Sequence, residues 1–76
     1  MSLDEQIIDI ISTIVRRHGL PEVSVALDSP LYDDGVGLDS MCVAELSATL
    51  EKRLGSDPYT KGELPATVAD IVGFYG

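Results

Sequence analysis

Apolar residues recur at helical spacing in three stretches of this chain, and between them the rhythm disappears. Leu3, Ile7, Ile10/Ile11 and Ile14 form the first stripe, the pattern of a helix burying one face. Ser2-Leu3-Asp4-Glu5 opens it as a capping box, in which the Ser2 hydroxyl accepts from the Glu5 amide while Glu5 reaches back. Arg16, Arg17 and His18 put positive charge at the negative end of the helix dipole, and Gly19 and Pro21 stop the helix. The first helix is therefore expected from Leu3 to His18.

A second stripe, Val43, Leu46, Leu50 and Leu54, belongs to a helix opened by Asp39 and closed by Gly55. Met41, Ala44, Glu45 and Ala48 lie on a different, flatter face of it. Thr67-Val68-Ala69-Asp70 reads as a further capping box, with Val68, Ile71/Val72 and Tyr75 giving a last helix. Before it, Asp57 caps a turn with Pro58 at the first position, and Gly62 and Pro65 keep that turn short.

From Leu20 to Leu38 no helical period survives, and Pro21, Ser29, Pro30, Gly35 and Gly37 punctuate the segment. A strand at Val23 to Leu27 would have no partner elsewhere. A loop this long in a small domain is commonly functional, and Leu27, Leu31 and Leu38 are the side chains available to pin it. The expected fold is all-α: one domain over residues 1–76, a small three-to-four-helix bundle with a long loop between its first and second helices. The expected core is Ile7, Ile11, Ile14, Leu46, Leu50, Leu54, Val68, Ile71 and Phe74.

Composition narrows the function. At 76 residues there is room for one core and little else. A single Cys cannot make an internal disulfide, which with no signal-peptide pattern suggests a cytoplasmic protein. No apolar run is long enough to span a membrane. The net charge of −8 repels phosphate backbones and anionic lipid. Between Arg17 and Lys52 there is neither Lys nor Arg, while Glu22, Asp28, Asp33, Asp34, Asp39, Glu45 and Glu51 all fall there. That middle third is either an anionic face for a cationic partner or a solvated surface that aids solubility.

The candidate chemistry sits where the long loop meets the second helix, at Gly37-Leu38-Asp39-Ser40-Met41. With Asp39 as cap, Ser40 becomes the first helical residue, its hydroxyl at the positive end of the dipole. Free first-turn amides and that dipole favour a phosphate attached there. Met41 offers an apolar contact beside the serine. Taken alone, Asp-Ser is also an ordinary helix start. A serine hydrolase is not supported, because Gly-x-Ser-x-Gly is absent and His18, the only His, sits at the end of another helix. A calcium loop counted from Gly35 would need carboxylates at Pro30 and Met41. Cys42 lies roughly 200° around the helix from Ser40 and points away from it; an inert or partly exposed thiol is expected.

In this order of elements the chain resembles the acyl carrier proteins. Their motif, Asp-Ser-Leu after Gly and a hydrophobic residue, reads here Gly37-Leu38-Asp39-Ser40-Met41, and the likeness extends to Ser29-Pro30-Leu31, Asp34-Gly35 and Thr67. The resemblance implies that Ser40 receives 4′-phosphopantetheine from coenzyme A and that the arm's thiol carries acyl groups as thioesters. Asp39 and Met41 would flank the attachment point. Met41, Ala44, Glu45 and Ala48 would face partners: a phosphopantetheinyl transferase and acyl-loading and acyl-processing enzymes with basic docking patches. The chain would be a monomer with no catalysis and no metal of its own. Leu38-Asp39 separates it from peptidyl carriers, which more often have Gly-Gly there. Lys52, where fatty-acid carriers often have an acid, and the unfamiliar run Gly55–Pro65 favour a specialised, polyketide-like pathway over housekeeping fatty-acid synthesis. The alternative from another class is an unmodified acidic helical interaction module.

Overall fold

A computed structural model describes residues 2–20, 24–32 and 35–76. It contains three helices, α1 (Leu3–Arg17), α2 (Ser40–Leu54) and α3 (Val68–Tyr75), and no strand among the described residues. Each helix begins at the cap its sequence supplies. The Ser2 hydroxyl accepts from the Glu5 amide at 3.2 Å, and the Glu5 carboxylate accepts from that same hydroxyl rather than from the Ser2 backbone. Asp39 and Thr67 cap α2 and α3, the latter with the full reciprocal box to Asp70. Such caps contribute about 1 kcal/mol each. At the other end of α2, Gly55 takes φ +85, a left-handed closure that a side chain would resist.

Helix α1 packs against both α2 and α3 and is the centre of the bundle. Its Ile7, Ile10, Ile11, Ile14 and Val15 are buried, facing Cys42, Leu46 and Leu50 of α2 and Val68 and Ile71 of α3. Burying an aliphatic side chain of this size stabilises by about 1.5–3 kcal/mol. Two expected core positions differ. Leu54 is only partly buried, and Phe74 lies outside the core, edge-on to Tyr75 with ring centroids 5.0 Å apart. Val72 and Tyr75 are the residues of that last turn packed on the core.

The segment between α1 and α2 is anchored by side chain and backbone together. Leu31, Val36 and Leu38 are buried, whereas Leu27, expected as a pin, is exposed. The Leu38 amide donates to Leu31 O at 3.0 Å and the Val36 amide to Pro30 O at 2.9 Å, closing the loop on itself. Gly35 sits so close to Pro30 that a Cβ there would collide with the proline carbonyl. The amide of Leu31 donates to Ala66 O, and those of Val68 and Ala69 donate to Ser29 O and Leu27 O, which fastens the loop to the start of α3. Pro30 and Thr67 form a single antiparallel bridge. The strand considered at Val23 to Leu27 is absent from residues 24 to 27; Val23, Pro21, Glu22, Asp33 and Asp34 lie outside the described residues.

After α2 the chain makes the expected short turn. Asp57 is fully buried: its Oδ1 accepts from the Ser47 hydroxyl at 2.8 Å and the Thr60 amide at 3.1 Å, and its Oδ2 from the Thr60 hydroxyl at 2.8 Å. Burial alone would push this carboxyl up, but the hydrogen bonds from Thr60 and Ser47 outweigh it and hold it below the ordinary range. The Tyr75 hydroxyl donates to Ser56 O at 2.6 Å, tying the end of α3 to the exit of α2.

Candidate functional site

The exposed edge of the molecule at the start of α2 is built by three neighbours in sequence. Gly37, at φ +79, turns the chain out of the loop, Leu38 is buried, and Asp39 is extended as the cap. A hydrophobic anchor on one side and a cap on the other therefore fix where Ser40 begins the helix. The Cys42 amide donates to Asp39 Oδ1 at 2.9 Å. That bond, helped by the charge of His18 and the Met41 amide, holds the Asp39 carboxyl below its ordinary range. Asp39 is thus ionised and a weak base.

Ser40 is exposed, and its hydroxyl makes no hydrogen bond among the described residues. No acid occupies the first turn of α2 itself. A phosphate ester on this oxygen would meet the positive end of a fifteen-residue helix, with the Asp39 cap as the adjoining carboxylate. Met41 beside it is 70% exposed, unusual for so large an apolar side chain, and Ala44 and Ala48 continue that exposed face along the helix.

Glu45 stands apart from these three. Its Oε2 lies 3.1 Å from Arg17 Nη1 and its Oε1 3.0 Å from His18 Nε2. Its charge is turned toward α1. The carboxylate on the Met41–Ala44–Ala48 side of α2 with no ion pair among the described residues is Glu51, one turn beyond Ala48. The three- and four-residue steps from Met41 to Ala44, Ala48 and Glu51 carry this grouping, and the same arithmetic applied to the sequence would have found it.

His18 complements the dipole of α1 from its end, as expected, but it is partly buried against Glu45 rather than free. Cys42 is fully buried, not partly exposed, and burial pushes its thiol up, away from reactivity. The pairing of Ser47 with Asp57 has no signature in the sequence: ten residues apart on a helix and a turn, they carry no periodic signal. No group of three or more His, Cys, Asp or Glu could hold a metal among the described residues, and none of their helices is long and apolar enough to cross a membrane.

A family described as the phosphopantetheine attachment site has a sequence model that matches residues 5–59, more than half of the chain. The chain belongs to that family. It is a carrier of the acyl-carrier-protein type: a non-catalytic domain whose family bears covalent 4′-phosphopantetheine, with the small all-α fold expected of it. Such a carrier works with a phosphopantetheinyl transferase and with acyl-handling enzymes. No curated protein and no solved structure gave a significant match. The matched span runs from within α1 through the loop and α2 to Tyr59 in the Asp57 turn, and leaves α3 outside.

Proposed function

We propose that residues 1–76 form one carrier domain and that Ser40 is its attachment point for 4′-phosphopantetheine. The observation that carries this is the free, exposed Ser40 hydroxyl at the first position of α2, inside the matched span. The other serines of the span lack that placement. The Ser47 hydroxyl donates to Asp57, the Ser29 hydroxyl accepts from the Ala26 amide at 2.9 Å, and Ser12 and Ser56 are partly buried. Ser24 is exposed like Ser40, but it lies in the loop and not at the start of a helix.

In this reading the Ser40 oxygen attacks the diphosphate of coenzyme A at the phosphorus bearing pantetheine. A serine–phosphate bond forms, and the bond to the adenosine phosphate breaks. The hydroxyl proton passes to the transferase, because Asp39 is committed to Cys42 and too weakly basic to take it. When attached, the arm supplies a thiol on which acyl groups are held as thioesters. Asp39 keeps the helix start in place, and Met41 lends an apolar contact at the attachment point.

Met41, Ala44 and Ala48, with Glu45 at their margin, form the partner face; Glu45 is engaged by Arg17 and His18, so Glu51 supplies the unpaired carboxylate along the edge. A basic groove on the transferase or an acyl-processing enzyme complements it, in transient complexes with a monomeric cytoplasmic carrier. A specialised, polyketide-like pathway is favoured over housekeeping fatty-acid synthesis. Leu64, one of two sizeable apolar residues in the Gly55–Pro65 segment, is 86% exposed, so that segment gives little lining for a long acyl chain. A short or polar acyl group held near Met41 suits this arrangement.

Intact-protein mass after co-expression with a broad-specificity transferase tests the assignment. The chain should gain the mass of the arm, and Ser40→Ala should fold normally and gain nothing. Modification that survives in Ser40→Ala would overturn it.

A further inference from the structure

On this strongly acidic chain the cations are not scattered. Of the five Lys and Arg residues, Arg17, Lys52 and Arg53 line one groove of about 250 Å³ between α1 and α2. Arg16 adjoins it, donating to Thr13 Oγ1 at 3.4 Å, and Thr13 is itself part of the wall. Ile10 and Ile14 close the floor, and Thr49 faces Thr13 from α2. One carboxylate reaches the groove, Glu45, and it is already bound by Arg17 and His18. Lys52 and Arg53 are exposed and make no ion pair among the described residues.

The groove borders the partner face directly. Around α2, Lys52 lies next to the Met41–Ala48 line on the side opposite Glu51. The surface of α2 therefore changes sign across its width, from the free carboxylate of Glu51, over the exposed apolar line, to the free cations of Lys52 and Arg53. A partner that meets only anionic charge would leave those two cations uncompensated.

We propose that the α1–α2 groove is a second docking surface, one that takes an acidic segment of a partner protein, with carboxylates on Lys52 and Arg53 and one aliphatic side chain over Ile10 and Ile14. Charge complementarity selects that occupant. A long-range field of −8 slows the approach of free anions and acidic proteins alike, so the interaction is short-range: it is weak for a free acidic peptide, and in a complex it fixes the register of a segment brought to the surface by other contacts. The volume suits one or two side chains rather than a whole helix face. The surface thereby discriminates among basic partners, favouring those that also present an acid on the α1 side and penalising those that present a second cation there.

The test is an NMR titration of the isotope-labelled chain with a synthetic helical peptide carrying one leucine flanked by glutamates, against its lysine counterpart. The glutamate peptide should shift the amides of Thr13, Arg17, Thr49 and Arg53, and the lysine peptide should not. Lys52→Glu with Arg53→Glu, both at exposed positions, should raise the Kd by about tenfold or more. The result should be the same on Ser40→Ala, which separates it from the carrier assignment. Shifts that survive the double reversal, that inorganic phosphate reproduces, or that follow protein concentration without peptide would overturn it, the last two in favour of a small-anion site and of self-association.

Discussion

The imidazole Nε2 of His18 lies 3.0 Å from the Glu45 carboxylate, joining the end of α1 to the first half of α2 across 27 residues of chain. Arg17 takes the other carboxylate oxygen. Because Arg17 is largely exposed, the link is worth no more than about 1 kcal/mol. Glu45→Gln should lower Tm by a few degrees, about 4–8 °C per kcal/mol in a domain of this size. The same neutralisation shields Glu45 from partners. Charge reversal at Glu51 should therefore slow association with the transferase more than reversal at Glu45, measured as on-rates across a salt series.

Asp57 is the most costly polar side chain to remove. Asp57→Ala leaves the Thr60 amide and the Ser47 and Thr60 hydroxyls without their acceptor in a buried site, for a loss of about 2–4 kcal/mol by denaturant unfolding. The folded carboxyl is held below its ordinary value, so its contribution is present above the unfolded pKa and lost as pH falls through the folded one. Acid unfolding should steepen below pH about 4 in the wild type, and Asp57→Asn should be less stable at neutral pH yet flatter in that range.

Two tyrosines give the opposite sign at the alkaline end. Burial, then the charge of Asp57, pushes the Tyr75 phenol up to about 12; burial, then the hydrogen bond with Tyr32, pushes Tyr59 up as well. Stability from these groups is complete below the unfolded value of 10.0 and is lost as pH rises through the folded one. Phenolate absorbance of the native chain should lag that of the unfolded chain between pH 10.0 and about 12.

Salt should stabilise the domain. Among the described carboxylates only Glu45 sits in an ion pair, so the remaining acids repel one another at neutral pH. Added sodium chloride should raise Tm by a few degrees through screening. A flat or falling Tm would mean that the acids are already compensated.

The helices were legible because their ends are local chemistry: Ser2, Asp39 and Thr67 each accept from an amide three residues on, and Gly55 closes α2. Ser40 was legible for the same reason, since a cap fixes the residue after it. What the sequence concealed is nonlocal. Val36 is buried with no period to announce it, and Phe74, expected in the core, lies outside it, edge-on to Tyr75. Glu45 sits at the right place on α2 for a docking residue, but its partners are on another helix, and nothing in the spacing of α2 reveals them.

The fastening of the loop to α3 has a consequence for the smallest piece of chain that can work. The family match stops at residue 59, yet Leu31 donates to Ala66 O, and Leu31 in turn receives the amide of Leu38, two residues before Ser40. Two hydrogen bonds thus connect the start of α3 to the start of α2. A fragment trimmed to the matched span would retain every residue of the serine motif and lose the strut behind it. Excising the last helix together with the residues that lead into it would therefore loosen the entry to α2, although no part of that segment needs to touch the serine.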